Sequence, residues 1–405
     1  MKCLFILSIA LDKPGPSVHL LKDIMTSFMN QGHSVVVVSR SGNASGLELF
    51  GDGKYDDRLT SYAVNKKSDK KRNFLFRYLS EICYAGSCAR IYKKLRDVDA
   101  VFLQSTTVGC FHTRLLKKYI NKPIVFNVQD IFPYNLKYSG QLPFSKITFR
   151  VFRWLQHRAY KQSDRIITIS EDMKNTLSLD GVPEDKIEVV YNWSYRDTPY
   201  DLAELDYSRV APLFDVDKFN VVYAGNIGMM QNAELVVRAA AKLSERSDIA
   251  FHIFGDGLYK NKLTALAEEL GAKNLTFRNA LDSADAPALY ASADLNVIPL
   301  VENIYKTAFP SKTATCIAVG KPIAMCIGKE SVMGQKLRDD FGVTLLGAND
   351  ADELADAILA ARDGGNSRLD TAKFEEYFSK TANSGRYGEI VIDTNKKSKL
   401  KTKGN

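Results

Sequence analysis

Pro310-Ser311-Lys312-Thr313-Ala314-Thr315, followed by Gly320-Lys321-Pro322, sets a lysine at the mouth of a short helix. Ser311 is a good N-cap and Gly320 a good stop, so the spacing predicts a helix that begins just after Pro310. Free amides, the positive end of the helix dipole and the Lys312 ammonium could together hold a diphosphate. A solvated surface lysine is the alternative for Lys312 taken alone. Tyr223-Ala224-Gly225-Asn226-Ile227-Gly228 reads as a strand end and a glycine-bearing turn, either a phosphate cradle or a plain βα turn. Phe254-Gly255-Asp256-Gly257 ends another strand the same way, either beside a nucleotide base or as a structural turn. Neither stretch is a P-loop, since no Gly-Lys-Ser/Thr follows. Lys260 stands where a dinucleotide fingerprint has its third glycine, which disfavours an NAD site.

Elsewhere, Val125-Phe126-Asn127-Val128-Gln129-Asp130-Ile131-Phe132-Pro133 closes an apolar run with a carboxylate. Asp130 either contacts an acceptor hydroxyl or caps the turn that follows. The five histidines show no metal spacing, and the six cysteines come no closer to one than Cys83 and Cys88. No metal or cofactor is expected, and the cysteines read as reduced cytosolic thiols.

These residues need strand ends and helix starts to position them. Apolar runs at Cys3–Ile9, Val35–Val38, Ala100–Leu103, Ile124–Val128 and Arg165–Ile169 alternate with helical stretches. The first run, followed at once by Asp12-Lys13-Pro14-Gly15, reads as a buried strand rather than a signal peptide. Ser17 is expected to cap the first helix and Gly32 to stop it. After a stretch without period containing Pro199 and Pro212, alternation restarts at Asn220–Tyr223. It continues through Ile249–Phe254, Leu275–Phe277, Asp294–Ile298 and Pro322–Met325. The pattern predicts two Rossmann-like, doubly wound parallel-sheet domains facing across a cleft. The expected divisions are 1–195, a linker 196–218, a second domain 219–373, a helix 374–392 returning to the first domain, and a disordered lysine-rich tail 393–405.

The chain has 405 residues and a net charge of +8. Residues 1–200 hold 30 lysines and arginines against 19 acids (+11), and the remainder holds 25 against 28 (−3). A uniformly basic nucleic-acid binder would not divide so, whereas one basic half suits an anionic membrane surface or a phosphorylated acceptor. Basic and aromatic residues mix at Lys66–Leu79 and Phe144–Arg158. The first reads as an exposed membrane-facing insertion, the second as core packing ahead of a membrane face.

Taken in order, these stretches resemble glycosyltransferase family 4 of the GT-B fold. The likeness also rests on Ser163-Asp164-Arg165-Ile166-Ile167-Thr168-Ile169-Ser170, Val190-Tyr191-Asn192-Trp193 and Leu289-Tyr290-Ala291-Ser292-Ala293-Asp294. It is nearest to the branch of O-antigen and capsule assembly that includes L-fucosamine transferases. The resemblance implies a metal-independent, retaining transferase at the inner face of the cell membrane. A nucleotide sugar, commonly a UDP-sugar, would be the donor and an undecaprenyl-diphosphate-linked saccharide the acceptor. It implies that Gly15 and the turn Gly225, Asn226, Gly228 lie beside the donor diphosphate. Gly255, Asp256 and Gly257 would lie near the base, and Ser311, Lys312 and Thr315 near ribose and diphosphate. Asp130 would serve the acceptor. Thr307 and Thr315 stand where the family pattern has two glutamates, which also leaves open a non-catalytic, sugar-nucleotide-binding relative.

Overall fold

The structure, a computed structural model, describes residues 1–12, 17–40, 50, 54–55, 57–64, 74–138, 146–365 and 368–403. The chain divides into two units, one of Met1–Lys137, Leu142–Tyr191 and Thr381–Asn405, the other of Tyr138–Gln141 and Asn192–Lys380. The division thus falls just before the expected boundary at 195.

The first unit is built on a parallel sheet of strands β1 (Lys2–Ile6), β2 (Ser34–Ser39), β3 (Leu59–Ala63), β4 (Ala100–Gln104), β5 (Ile124–Asn127), β6 (Arg165–Thr168) and β7 (Ile187–Val189). Their order is β3-β2-β1-β4-β5-β6-β7. Cys3–Ile6 and Val35–Val38 are buried without interruption, because a parallel sheet is covered on both faces. Phe5 packs on Phe102 at 4.8 Å and edge-on to Phe28 at 6.2 Å. The short strands β3 and β7 escaped the sequence pattern, since Thr60, Ser61 and Glu188 break their apolar runs. Ser17 precedes the helix Val18–Asn30 but caps it only through its backbone, Leu21 N–H bonding Ser17 O at 3.1 Å. Gly32 ends that helix at φ +82°, as expected.

The C-terminal helix corrects the expected tail. Lys380–Lys403 is one helix, which from Thr381 onward belongs to the first unit. Tyr387, Thr394 and Asn395 are buried, and Lys399 pairs with Asp99 at 3.3 Å. Lys396, Lys397 and Lys399 are exposed along the outer side of this anchored helix.

The second unit repeats the plan. Strands β8 (Phe219–Ala224), β9 (Ile249–Phe254), β10 (Leu275–Arg278), β11 (Leu295–Pro299), β12 (Ile323–Cys326) and β13 (Thr344–Leu346) form a parallel sheet. Their order is β10-β9-β8-β11-β12-β13. Val221, Tyr223, Phe251 and Ile253 bury one face of it against Leu235, Val236 and Ala239 of the helix Ala233–Lys242. Residues 196–218 are no free linker. Arg209 pairs with Asp282 and Asp285, and Arg278 donates to Leu213 O at 2.7 Å, fastening the segment to this unit. The helices Val332–Phe341 and Ala351–Ala360, capped by Ser331 and Asp350, extend the fold beyond the alternation read from the sequence.

Candidate active site

In the second sheet the strand order reverses at β8, which lies between β9 and β11. Connections leaving β8 and β11 pass to opposite faces, and the C-terminal ends of these two strands open the crevice in which such sheets take ligands. The Gly225–Gly228 turn leaves β8, and Pro310–Lys312 ends the connection that leaves β11. Lys312 joins the two. Its Nζ donates to Ala224 O at 2.5 Å and lies 4.1 Å from the centroid of the Tyr223 ring. Tyr223 is held in turn by its hydroxyl, which donates to Asn226 O at 2.7 Å.

Burial is the main influence on this lysine, lowering it from 10.5 to about 8, while the nearby Cys316 opposes the shift. Among the described residues no carboxylate pairs with Lys312, and its ammonium meets a carbonyl and an aromatic face. A cation so placed is suited to an incoming anion.

The glycines hold two turns backbone to backbone. Gly225 N–H bonds Phe254 O at 2.9 Å, and Ile227 N–H bonds Asp256 O at 2.8 Å. A Cβ on Gly255 would stand 1.9 Å from Gly225 O, and one on Gly257 2.3 Å from Ile227 O. On Gly225 it would meet Lys312 Nζ at 2.8 Å. Asp256 is exposed and spends one carboxylate oxygen on Gly257 N–H. Gly255, Asp256 and Gly257 thus shape the floor that carries the Gly225 turn. Asn226 is exposed and bonds Gln231, close to where a Cβ of Gly228 would fall.

The helix after Pro310 starts one residue later than expected. It spans Thr313–Val319, with Lys312 in the cap position and Ser311 exposed on the preceding turn. Ser311 is therefore not the cap; the N–H of Thr313 is taken by Pro310 O at 3.1 Å. Thr315 is 7% exposed, and Thr307 is fully buried with its hydroxyl bonded to Ile304 O at 3.0 Å. Neither offers the two acceptor oxygens of a carboxylate.

Asp130 follows β5 in the first unit and is exposed. Burial of the carboxyl by the chain around it pushes it up to about 6, although the residue as a whole is open to solvent, which screens that effect. Beside it in sequence, Gln129 and Tyr387 meet at 3.4 Å, and Asn127 bonds Gln104 at 2.8 Å. Gly15 lies outside the described residues. Two groups had no local sequence signal: Tyr223, which reads as an ordinary strand aromatic, and Arg40. Arg40 is buried, pairs with Glu81 at 2.7 Å, donates to Ser8 O and stacks over Tyr84. It pins the segment that leaves β1. Among the described residues, no three His, Cys, Asp or Glu side chains cluster to hold a metal ion.

Two Rossmann-like parallel-sheet units in one chain are the architecture of the GT-B class of glycosyltransferases. Residues 17–193 match the family model Glycosyltransferase Family 4, and residues 218–363 match Glycosyl transferases group 1. The two matches together make the chain a glycosyltransferase, its N-terminal part matching the family 4 model. It is 24% identical over 283 residues to WbjE of Pseudomonas aeruginosa, a probable glycosyltransferase, covering 68% of this chain and 69% of that one. With WcaI of Escherichia coli, a glycosyl transferase named for colanic acid biosynthesis, identity is 30% over 175 residues, 42% of each chain. The crystal structure of HepE from Anabaena in complex with UDP-glucose superposes over the full length of both chains with a TM-score of 0.63 at 17% identity, a likeness of fold.

Proposed function

We propose that this glycosyltransferase moves a hexosyl group from a UDP-sugar to a lipid-linked saccharide, such as one carried on undecaprenyl diphosphate. The product would belong to a capsule, O-antigen or exopolysaccharide, and the anomeric configuration would be retained. The observation that carries the reading is the Lys312 ammonium, short of counter-charge at the β8–β11 crevice. Cleavage of a UDP-sugar leaves negative charge on the departing diphosphate, and a preorganised cation with adjacent amides stabilises that charge where it develops. The second unit would hold the donor through Gly225, Asn226, Gly228, Ser311 and Lys312, with Thr315 near the ribose. Gly255, Asp256 and Gly257 would support the turn from beneath. In the first unit, Asp130 would contact the acceptor hydroxyl. No nucleophile is assigned. The leaving phosphate would help deprotonate the acceptor on the face it departs from.

A membrane-bound acceptor suits the outer surface of the first unit. On the helix Lys146–Gln162, Ile147, Val151 and Trp154 are exposed on one stripe, with Arg158 4.9 Å over the Trp154 ring. Phe76 and Leu79 are exposed on the helix Phe74–Tyr92, and the two helices meet where Tyr78 packs on Phe152 at 4.8 Å. Phe152, Gln156, Ala159 and Tyr160 bury the other side of the first helix, so the Phe144–Arg158 stretch serves both core and surface. The Lys66–Arg72 run lies outside the described residues. Exposed rings among Lys146, Arg150 and Arg158 fit the interface of an anionic bilayer. No helix among the described residues is long and apolar enough to cross a membrane.

Release of UDP from a panel of UDP-sugars, with and without a lipid-linked saccharide, tests the reading. Acceptor-dependent release supports it. UDP binding without turnover across the panel would favour the non-catalytic relative, for which Thr307 and Thr315 are the reason.

A further inference from the structure

One face of the second sheet carries a cavity of about 500 Å³ whose lining includes none of the residues named in the site above. It runs along one face of β9 and β10, from Lys218, Arg246 and Asn274 before the N-terminal ends of β8, β9 and β10, past Ala250, His252 and Thr276, to Arg278, the last residue of β10, and Pro212–Asp215 help line it. Lys218, before β8, lines it, whereas the Lys312 contact is at Ala224, the last residue of that strand. Six residues of extended chain put the two about 20 Å apart.

Four cations line this cavity, Lys218, Arg246, Lys273 and Arg278, against the single carboxylate of Asp215. Lys218 and Arg246 pair with Asp215 and Asp248. Lys273 reaches Glu245 only at 3.9 Å, through two highly exposed side chains. Among the described residues no carboxylate pairs with Arg278. Its Nη2 donates to Leu213 O, its guanidinium lies 5.9 Å from the Phe254 ring, and its Nε, enclosed in the wall, has no hydrogen-bond partner. Two acceptors in the same wall are also unmatched. Asn274 gives its amide to Leu243 O, leaving Oδ1 without a donor. His252 bonds Asn220 Oδ1 through Nε2 at 3.1 Å; because both amide hydrogens of Asn220 go to the carbonyls of Asp215 and Lys218, Nε2 carries the proton. His252 Nδ1 is therefore a bare acceptor, also without a partner.

We infer that this cavity binds a small anion that also carries hydroxyl groups, a sugar phosphate in chemical class. The phosphate answers the cations and Arg278 Nε; the hydroxyls answer His252 Nδ1 and Asn274 Oδ1. The volume suits a ligand of this size. The roof is the Pro212–Asp215 segment, Phe214 standing edge-on to His252 at 4.9 Å, so occupancy would tighten that segment on the sheet.

Titration calorimetry on the full chain, with glucose 6-phosphate, inorganic phosphate and UDP as probes, tests this. Saturable binding of glucose 6-phosphate is expected, at least tenfold tighter than inorganic phosphate and undiminished by saturating UDP. The Lys218→Gln/Lys273→Gln variant, which leaves the enclosed Arg278 in place, should weaken it at least tenfold, and Lys312→Ala should not change it. The inference is overturned by no binding, by equal binding of inorganic phosphate, by displacement with UDP, or by indifference to the double substitution.

Discussion

The Lys312 ammonium lies 4.1 Å from the centre of the Tyr223 ring, at the point where the connection leaving β11 returns to the end of β8. The lysine is charged at neutral pH at a cost, since burial lowers it to about 8. Between pH 8 and 10.5 the unfolded chain holds a proton that the folded chain has lost, so this group makes stability rise with pH across that window. Below pH 8 the cost is fully present. Lys312→Met should therefore be more stable than the parent at pH 7, by ~1–2 kcal/mol after allowance for partial solvent access. Urea unfolding at pH 7 and 10 should show that gain shrinking at the higher pH.

The same titration governs donor affinity. UDP binding should weaken several-fold between pH 7 and 9.5 as the ammonium is lost. Lys312→Arg should flatten that pH dependence, because a guanidinium stays protonated. Turnover should fall about 10²-fold in Lys312→Ala, as for loss of one charge-stabilising donor. Steady-state rates and calorimetry at the two pH values measure both effects.

The glycines of the two turns are separable by mutation. Gly255→Ala and Gly257→Ala each combine a φ above +150° with a Cβ thrust onto a carbonyl oxygen. Each should cost about 3 kcal/mol or more, the range of severe backbone and overpacking effects. Gly271→Ala, at φ +68° with open space around it, should cost only about 1 kcal/mol. Thermal or denaturant unfolding of the three variants should give that order.

Asp130 is raised to about 6, so it is protonated in the folded state at pH values where an ordinary carboxylate is charged. Folding then takes up a proton between 3.8 and about 6, and this group makes stability fall as pH rises through that window. If Asp130 receives the acceptor proton, Asp130→Asn should lower kcat/KM by about 10²-fold or more. The acid limb of the pH–rate profile near 6 should vanish with it, while UDP affinity stays unchanged. A profile that keeps that limb would remove Asp130 from the chemistry.

Sedimentation with vesicles reads the surface of the helix Lys146–Gln162. The protein should bind anionic vesicles and leave them as salt is raised toward 0.5 M, where the screening length falls to about 4–5 Å. Trp154→Ala with Val151→Ala should lower binding without loss of stability, since both side chains face solvent. Equal binding to neutral and anionic vesicles would show that the basic residues play no part.

The fold was legible wherever a strand is buried on both faces, because runs such as Val35–Val38 and Ala100–Leu103 leave no polar residue to confuse the period. Edge strands β3, β7 and β13 were not, since half-exposed positions admit Thr, Ser and Glu. The glycine turns and Lys312 stood out by spacing alone. What no local pattern could give was the pairing of Lys312 with Ala224 and Tyr223, 88 and 89 positions away, since such contacts are set by strand order. The tail failed for a related reason. Its lysines suggest disorder, while the apolar residues that anchor it, Tyr387, Ile390 and Val391, lie earlier in the helix.

Calorimetric titration of UDP into the parent protein and into Lys312→Ala, checked first for equal melting cooperativity, bears most directly on the nucleotide crevice. Saturable binding near −7 to −8 kcal/mol, a Kd in the micromolar range, is expected for the parent, with at least tenfold weaker binding in the variant. A parent protein that takes up no UDP, or a variant that binds it equally well, would contradict the assignment.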